Sequence, residues 1–133
     1  MKKTLVPGVS GEARHRVVTE NLVSFRRAGM PPVLATPWVL DVMETAAYEA
    51  IRPHLDPGEA SVGVHVDFEH LAPTPAGDTI VATARVTAVK GKRIELDFEA
   101  RDSHELVARG KHLRAVVNLE RFRRRLEEKK ARP

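Results

Sequence analysis

The sequence has no cysteine among its 133 residues, which excludes disulfide bonds, a thiolate nucleophile and cysteine-based zinc sites. Aromatic residues make up only 5% of the chain, and no apolar run approaches the roughly 18–20 residues that a membrane span needs. Two lysines near the N-terminus are not followed by an apolar segment, so no signal peptide is predicted. We therefore expect a cytoplasmic protein with no membrane association.

The residues that are present fit one folded domain. The length suits a single domain, and hydrophobic residues make up 42% of the chain, enough to fill one core. The net charge of +4 resides in residues 119–133, which hold seven basic and three acidic residues. We therefore predict a single domain over residues 1–118 and a basic C-terminal tail over residues 119–133.

The basic tail has two interpretations. It is either a solvated helix end or frayed terminus, or a surface that attracts nucleic acid, anionic lipid or the phosphates of a nucleotide-bearing ligand. Phe122 is its one aromatic residue. Stacking platforms for single strands are therefore missing, and nucleic-acid binding is not favoured.

The hydrophobic pattern predicts one long helix and an antiparallel sheet. Thr36 and Pro37 form a typical helix start, with Thr36 as the N-cap, and Pro53 ends the helix after about Arg52. From residue 60 onward the period changes to two, which indicates strands. The predicted strands cover residues 14–19, 62–69, 79–89, 94–100 and 106–119. This order indicates an α+β protein with a curved sheet of about five strands around a central helix, as in the hot-dog fold.

Glu44 breaks the apolar pattern of the helix. On a helical wheel it falls at +40° from Leu40, inside a stripe that Met43, Ala47 and Ile51 define. A carboxylate on a core face is costly unless it is paired or hydrogen-bonded. Glu44 is therefore either a functional carboxylate or a side chain that reaches the rim of the stripe and bonds a loop amide.

His70 breaks the pattern of the following strand. Strand parity groups it with Val62, Val64, Val66 and Phe68, so it should face inward. A lone inward histidine is most often a satisfied core residue. Together with an inward acid and the Thr36 hydroxyl at a positive helix N-terminus, however, it can polarise a carbonyl and move protons.

The other polar positions give weaker signals. His15, His54, His65 and His104 are predicted to lie on the surface, and no histidine spacing indicates a metal site. Polar residues occupy both faces of the last strand, so one face meets solvent, a ligand or a partner chain. These residues are Arg109, Lys111, His112 and Arg114.

Four segments together resemble the fluoroacetyl-CoA thioesterase-like family of hot-dog proteins. They are Ala35-Thr36-Pro37, Met43-Glu44-Thr45-Ala46-Ala47, Val62-Gly63 and the stretch His70-Leu71-Ala72-Pro73-Thr74-Pro75-Ala76-Gly77-Asp78. The resemblance runs from about residue 5 to residue 118.

The resemblance implies hydrolysis of an acyl-CoA thioester by Thr36, Glu44 and His70. It also implies that Gly63 lies against the thioester and that Arg114 lines the acyl site. No cofactor is implied, because coenzyme A is part of the substrate. Family members are homodimers with the pocket at the interface; whether dimers pair further stays open, as does the role of Glu44 as nucleophile or general base.

The sequence leaves more than one possibility for the acyl group and for the class of reaction. The fluoroacetate-specific family member has an aromatic lid residue six positions before its threonine, where this chain has Met30. Methionine is flexible, so a wider or different acyl group is expected. The competing functions are an acyl-CoA-binding module without hydrolysis and another hot-dog enzyme, such as a dehydratase acting on acyl-CoA or an acyl-carrier protein.

Overall fold

A computed structural model describes residues 1–133, in which a 16-residue helix packs against a curled antiparallel sheet of five strands. The strands are β1 (Ser10–Arg16), β2 (Glu59–His70), β3 (Thr79–Lys90), β4 (Arg93–Arg101) and β5 (Leu106–Asn118). The helices are α1 (Val23–Arg26), α2 (Thr36–Ile51) and α3 (Leu119–Ala131). The strand order is β1-β3-β4-β5-β2, which leaves β1 and β2 at the sheet edges. The predicted α+β architecture is confirmed.

Helix α2 buries a face made largely of small residues. Val39, Val42, Met43 and Ile51 are buried, together with Ala46, Ala47 and Ala50. On the helical wheel, Glu44 lies on one side of Met43, and the centre of this buried face lies on the other side. Glu44 and Leu40 are therefore half-buried at its rim, and the prediction that Glu44 lies inside the core stripe is wrong. The wheel placed the stripe too close to Leu40 because it left out Val39, Val42, Ala46 and Ala50.

Close packing between α2 and the sheet depends on glycine and alanine. A β-carbon on Gly11 of β1 would lie 2.5 Å from the backbone oxygen of Ala46 and would also strike the backbone nitrogen of Ala50. On β3 and β4, buried Ala82, Ala84 and Ala100 alternate with outward residues. Small side chains on both surfaces thus bring the helix backbone directly onto the sheet.

Three local predictions differ from the structure. The first strand begins at Ser10 rather than residue 14 and ends at Arg16. Val64 is 48% exposed, because the pairing of β2 with β5 shifts register between Gly63 and His65 and reverses the inward parity there. Thr36 is the first residue of α2, and Ala35 is the N-cap.

The C-terminal residues form a solvent-exposed helix. Asn118 caps α3 by accepting a hydrogen bond from the backbone nitrogen of Arg121 at 3.0 Å. No α3 residue is buried, and Phe122 and Leu126 are exposed. None of the helices is long and apolar enough to cross a membrane.

Candidate active site

Thr36 and His70 meet at the N-terminus of α2. The Thr36 Oγ1 lies 2.8 Å from His70 Nδ1, within hydrogen-bonding distance. No side chain caps α2. The positive end of the helix dipole therefore faces a hydroxyl and an imidazole rather than a capping carboxylate or amide.

The backbone holds this pair together through the loop that precedes α2. Leu34 donates its N–H to the Thr74 carbonyl and Ala35 donates to the Asn21 carbonyl, each at 2.8 Å. At the end of β2, Leu71 donates to the Val107 carbonyl at 2.7 Å. The start of α2 is thus tied to the segment that follows His70, which explains why residues 34 positions apart are in contact.

His70 is kept neutral by its surroundings. Burial lowers the pKa of His70 below its usual value, because the imidazolium form loses hydration there. Its Nε2 is buried and has no hydrogen-bond partner within the chain. An unpaired buried polar atom costs about 1–3 kcal/mol, and Nε2 is the one buried side-chain polar atom of the chain without a hydrogen bond.

Glu44 belongs to a second group, at the middle of α2. Its Oε2 lies 3.3 Å from Arg114 Nη1 on β5 and 3.7 Å from His112 Nε2. A β-carbon at residue 63 would lie 2.7 Å from the same oxygen. Glycine at position 63 therefore leaves the space that the carboxylate occupies, which is a reason for the Val62-Gly63 pair in the sequence.

Arg114 is buried and held on several sides. Its Nε donates to Ser61 Oγ at 3.0 Å and its Nη2 to the Ser61 carbonyl at 2.9 Å. Its guanidinium also lies over the Tyr48 ring, 5.9 Å from the centroid. Burial lowers the pKa of Arg114, and the charge of Glu44 opposes that shift. The positive charge of the guanidinium and the negative charge of the carboxylate thus compensate each other beside Gly63.

The structure brings the predicted site residues together in two groups rather than one. Thr36 and His70 form the first group, and Glu44, Gly63 and Arg114 form the second. No hydrogen bond or ion pair joins Glu44 to Thr36 or His70. Glu44 is eight positions after Thr36 on α2, a rise of about 12 Å.

Met30 lies apart from both groups, in the turn after α1. It is 46% exposed, and its backbone nitrogen donates to the Arg27 carbonyl at 3.1 Å. The side chain of Met30 is therefore accessible from solvent.

Sequence reasoning missed His112. The polar residues of β5 divide by parity: Arg109 and Lys111 are exposed, whereas His112 and Arg114 are buried beneath α2. Among the histidines predicted at the surface, His65 and His104 are exposed, and His15 and His54 are partly buried and hydrogen-bonded to Asn21 and Thr4. The spacing of two between His112 and Arg114 was the available signal.

Comparison with known proteins matches most of the chain. Residues 17–120 match the family FlK, described as fluoroacetyl-CoA-specific thioesterase. The fluoroacetyl-CoA thioesterase of Streptantibioticus cattleyicolor is 37% identical over 102 residues, which cover 77% of this chain and 73% of that protein. The chain belongs to this thioesterase family. It is a thioester hydrolase.

Solved structures extend the likeness to the fold. The fluoroacetyl-CoA thioesterase FlK superposes with a TM-score of 0.89 at 30% identity, over 98% of this chain and 100% of that one. A hot-dog-like protein from Thermanaerovibrio acidaminovorans superposes with a TM-score of 0.86 at 29% identity, over 96% of this chain and 94% of that one. The predicted hot-dog fold and family resemblance are confirmed.

Proposed function

We propose that this thioesterase hydrolyses acyl-CoA thioesters with Thr36, Glu44 and His70. The observation that carries the proposal is the Thr36–His70 hydrogen bond of 2.8 Å at the uncapped N-terminus of α2. A thioester carbonyl directed at this end would meet the Thr36 hydroxyl and backbone N–H groups, which stabilise the developing oxyanion. The reaction consumes water, breaks the C–S bond and releases a carboxylic acid and the CoA thiol, so it requires no further cofactor.

Glu44 supplies the base or the nucleophile. As a general base it removes a proton from the attacking water; as a nucleophile it forms a mixed anhydride that water then hydrolyses. Arg114 provides the counter-charge for its carboxylate at 3.3 Å. Gly63 leaves the Glu44 carboxylate its space beside the thioester, whereas a larger residue would displace the carboxylate.

The site is completed by a second copy of the chain. Within one chain no hydrogen bond or ion pair joins Glu44 to the Thr36–His70 pair, and Glu44 lies about 12 Å further along α2 than Thr36. Strand β2 lies at the sheet edge and exposes Val64, so its outer edge is free to pair with another strand. Antiparallel pairing of two β2 strands about a two-fold axis places the His70 end of one copy toward the Glu44 group of the other.

The acyl group is broader than fluoroacetyl. The aromatic lid residue expected from the family resemblance is replaced by Met30, whose side chain is flexible and 46% exposed. We expect short acyl-CoAs such as acetyl-CoA to be hydrolysed with a kcat/KM within about tenfold of fluoroacetyl-CoA, which is the low end of the about 1–3 kcal/mol that one small contact discriminates. The Met30→Phe variant should shift the ratio toward fluoroacetyl-CoA.

The deciding experiment measures CoA release from short, branched and aromatic acyl-CoAs by the wild type and two variants. Glu44→Gln removes the carboxylate without changing its shape. Glu49→Gln is the matched control, because Glu49 lies on the same helix and its side chain is as exposed as that of Glu44, at 38%.

The outcomes are distinct. Turnover by the wild type and Glu49→Gln, with loss of about 10³-fold or more in Glu44→Gln, supports the proposal. Near wild-type turnover in Glu44→Gln removes Glu44 from the mechanism. Tight CoA binding without turnover of any ester by the wild type contradicts acyl-CoA hydrolysis and supports an acyl-CoA-binding module. Neither turnover nor CoA binding also contradicts it and makes carrier-protein thioesters the substrates to test.

A further inference from the structure

His112 is a buried histidine with a defined hydrogen-bonding state. It is 3% exposed and stacks on Phe98 of β4, with ring centroids 5.1 Å apart. Its Nδ1 lies 2.8 Å from the His65 carbonyl oxygen. Because a carbonyl only accepts hydrogen bonds, Nδ1 carries the proton, and in the neutral ring Nε2 has a free lone pair.

That lone pair faces Arg114. The Nη1 of Arg114 lies 3.1 Å from His112 Nε2 and 3.3 Å from Glu44 Oε2. Nη1 carries two hydrogens, so one can bond the imidazole while the other is directed at the carboxylate. Ser61 fixes the Nε and Nη2 side of the guanidinium. His112 therefore determines where the remaining Nη1 hydrogen points.

We propose that His112 is a positioning residue that acts through Arg114 to hold the Glu44 carboxylate in place beside Gly63. The proposal rests on the assignment of Glu44 as the reacting carboxylate. Burial lowers the pKa of His112, which keeps the lone pair available at neutral pH. The charged groups around the ring are Glu44 of α2, Arg114 of β5 and His65 of β2; in the protonated ring, Nε2–H would face the Arg114 donor and lose this bond.

Two substitutions separate the two nitrogens of the ring. His112→Asn keeps a donor near the Nδ1 position but offers nothing at Nε2. His112→Gln places an amide oxygen near the Nε2 position and gives up the bond to the His65 carbonyl. A purely structural role predicts that Asn, which retains the anchor, is the better replacement; a role in positioning Arg114 predicts that Gln is.

We expect His112→Asn to lower kcat for CoA esters by roughly 10- to 100-fold with little change in KM, in the range of a hydrogen bond to a charged group. His112→Gln should restore most of kcat. In an Arg114→Lys background, His112→Asn should cause little additional loss, because it acts through the missing guanidinium. Equal loss in Asn and Gln, additive loss in the lysine background, or wild-type kcat in Asn would each overturn the proposal.

A spectroscopic measurement on the wild type tests the same point and does not depend on whether the variants fold. Two-bond ¹H–¹⁵N correlation spectra of the wild type at neutral pH should show His112 with a protonated Nδ1 and an unprotonated Nε2. The opposite tautomer, or a protonated ring, would overturn the proposal. If the wild type hydrolyses no CoA ester, the proposed function fails, and the spectrum still decides whether the Nε2 lone pair of His112 is available to accept a bond from Arg114.

Discussion

Two glycines of the sheet, Gly11 and Gly63, lie close to α2, but one faces helix backbone and the other faces a side chain. A side chain at Gly63 would meet the far end of Glu44, which is flexible, whereas a side chain at Gly11 would meet the helix backbone at Ala46 and Ala50. A flexible neighbour moves at little cost to folding, but a backbone does not. At the residue scale, the same substitution should therefore affect catalysis at one position and stability at the other.

We expect Gly63→Ala to lower kcat/KM by about tenfold or more, because the methyl group displaces the Glu44 carboxylate from its position. Its melting temperature should stay near that of the wild type. Gly11→Ala is the matched variant and should lower the free energy of unfolding by about 1–3 kcal/mol while leaving the site geometry of the folded fraction intact. Steady-state kinetics and thermal unfolding of both proteins check this; a Gly63→Ala enzyme with unchanged kcat/KM would contradict the placement of Glu44.

The buried imidazoles make stability depend on pH. Burial lowers the pKa of both His70 and His112 below the value of an unfolded histidine, about 6.5. Below about pH 6.5 the unfolded chain then binds more protons than the folded chain. The free energy of unfolding is therefore highest above pH 6.5 and decreases as the pH falls below that value. Denaturant unfolding between pH 8 and 5 checks the sign, and His112→Gln should reduce the slope because glutamine does not titrate.

At the scale of elements, α3 is set apart from the rest of the chain. Its residues are not buried, and its first N–H, that of Leu119, bonds the Gly58 carbonyl at 2.9 Å, after which the helix projects into solvent. Basic side chains outnumber acidic ones along it. Its contribution to stability is therefore small, and its charge is free to interact with an anionic ligand.

Removing residues 120–133 should leave the free energy of unfolding within about 1 kcal/mol of the wild type, because no buried contact is lost. Chemical denaturation of the truncated chain measures this. The KM for CoA esters then distinguishes the two interpretations of the tail. A KM that rises on truncation, with a difference that high salt abolishes, indicates contact with the CoA phosphates; an unchanged KM indicates a solvated helix.

The predicted boundaries of the main elements lie within about four residues of those observed, and the errors have physical causes. Thr36-Pro37 and the alternating strands act locally, so the sequence alone reveals them. The buried face of α2 depends on which alanines the sheet contacts, and the parity of Val64 depends on a register shift against β5. His112 was missed because its role requires knowing that Glu44, 68 positions earlier in the chain, packs above it.

At the scale of the whole molecule, a site divided between two copies can be tested by mixing inactive variants. Thr36→Ala and Glu44→Gln should each be inactive alone. When the two are unfolded together and refolded, random pairing makes half of the dimers mixed, and each mixed dimer has one site with both native residues, so about a quarter of wild-type activity should return. No recovery, with mixed dimers demonstrated by native mass spectrometry, would place all catalytic groups of each site in one chain.

The close packing of α2 on small residues of the sheet also limits how related sequences can vary. Because the backbones of helix and sheet touch near Gly11, α2 has a fixed position on the sheet, and Thr36 and Glu44 keep theirs with it. The turn that carries Met30 has no such constraint and is exposed. Under the proposed mechanism, substitutions in that turn can change the acyl preference, whereas the proposed reacting groups Thr36 and Glu44 stay fixed on α2.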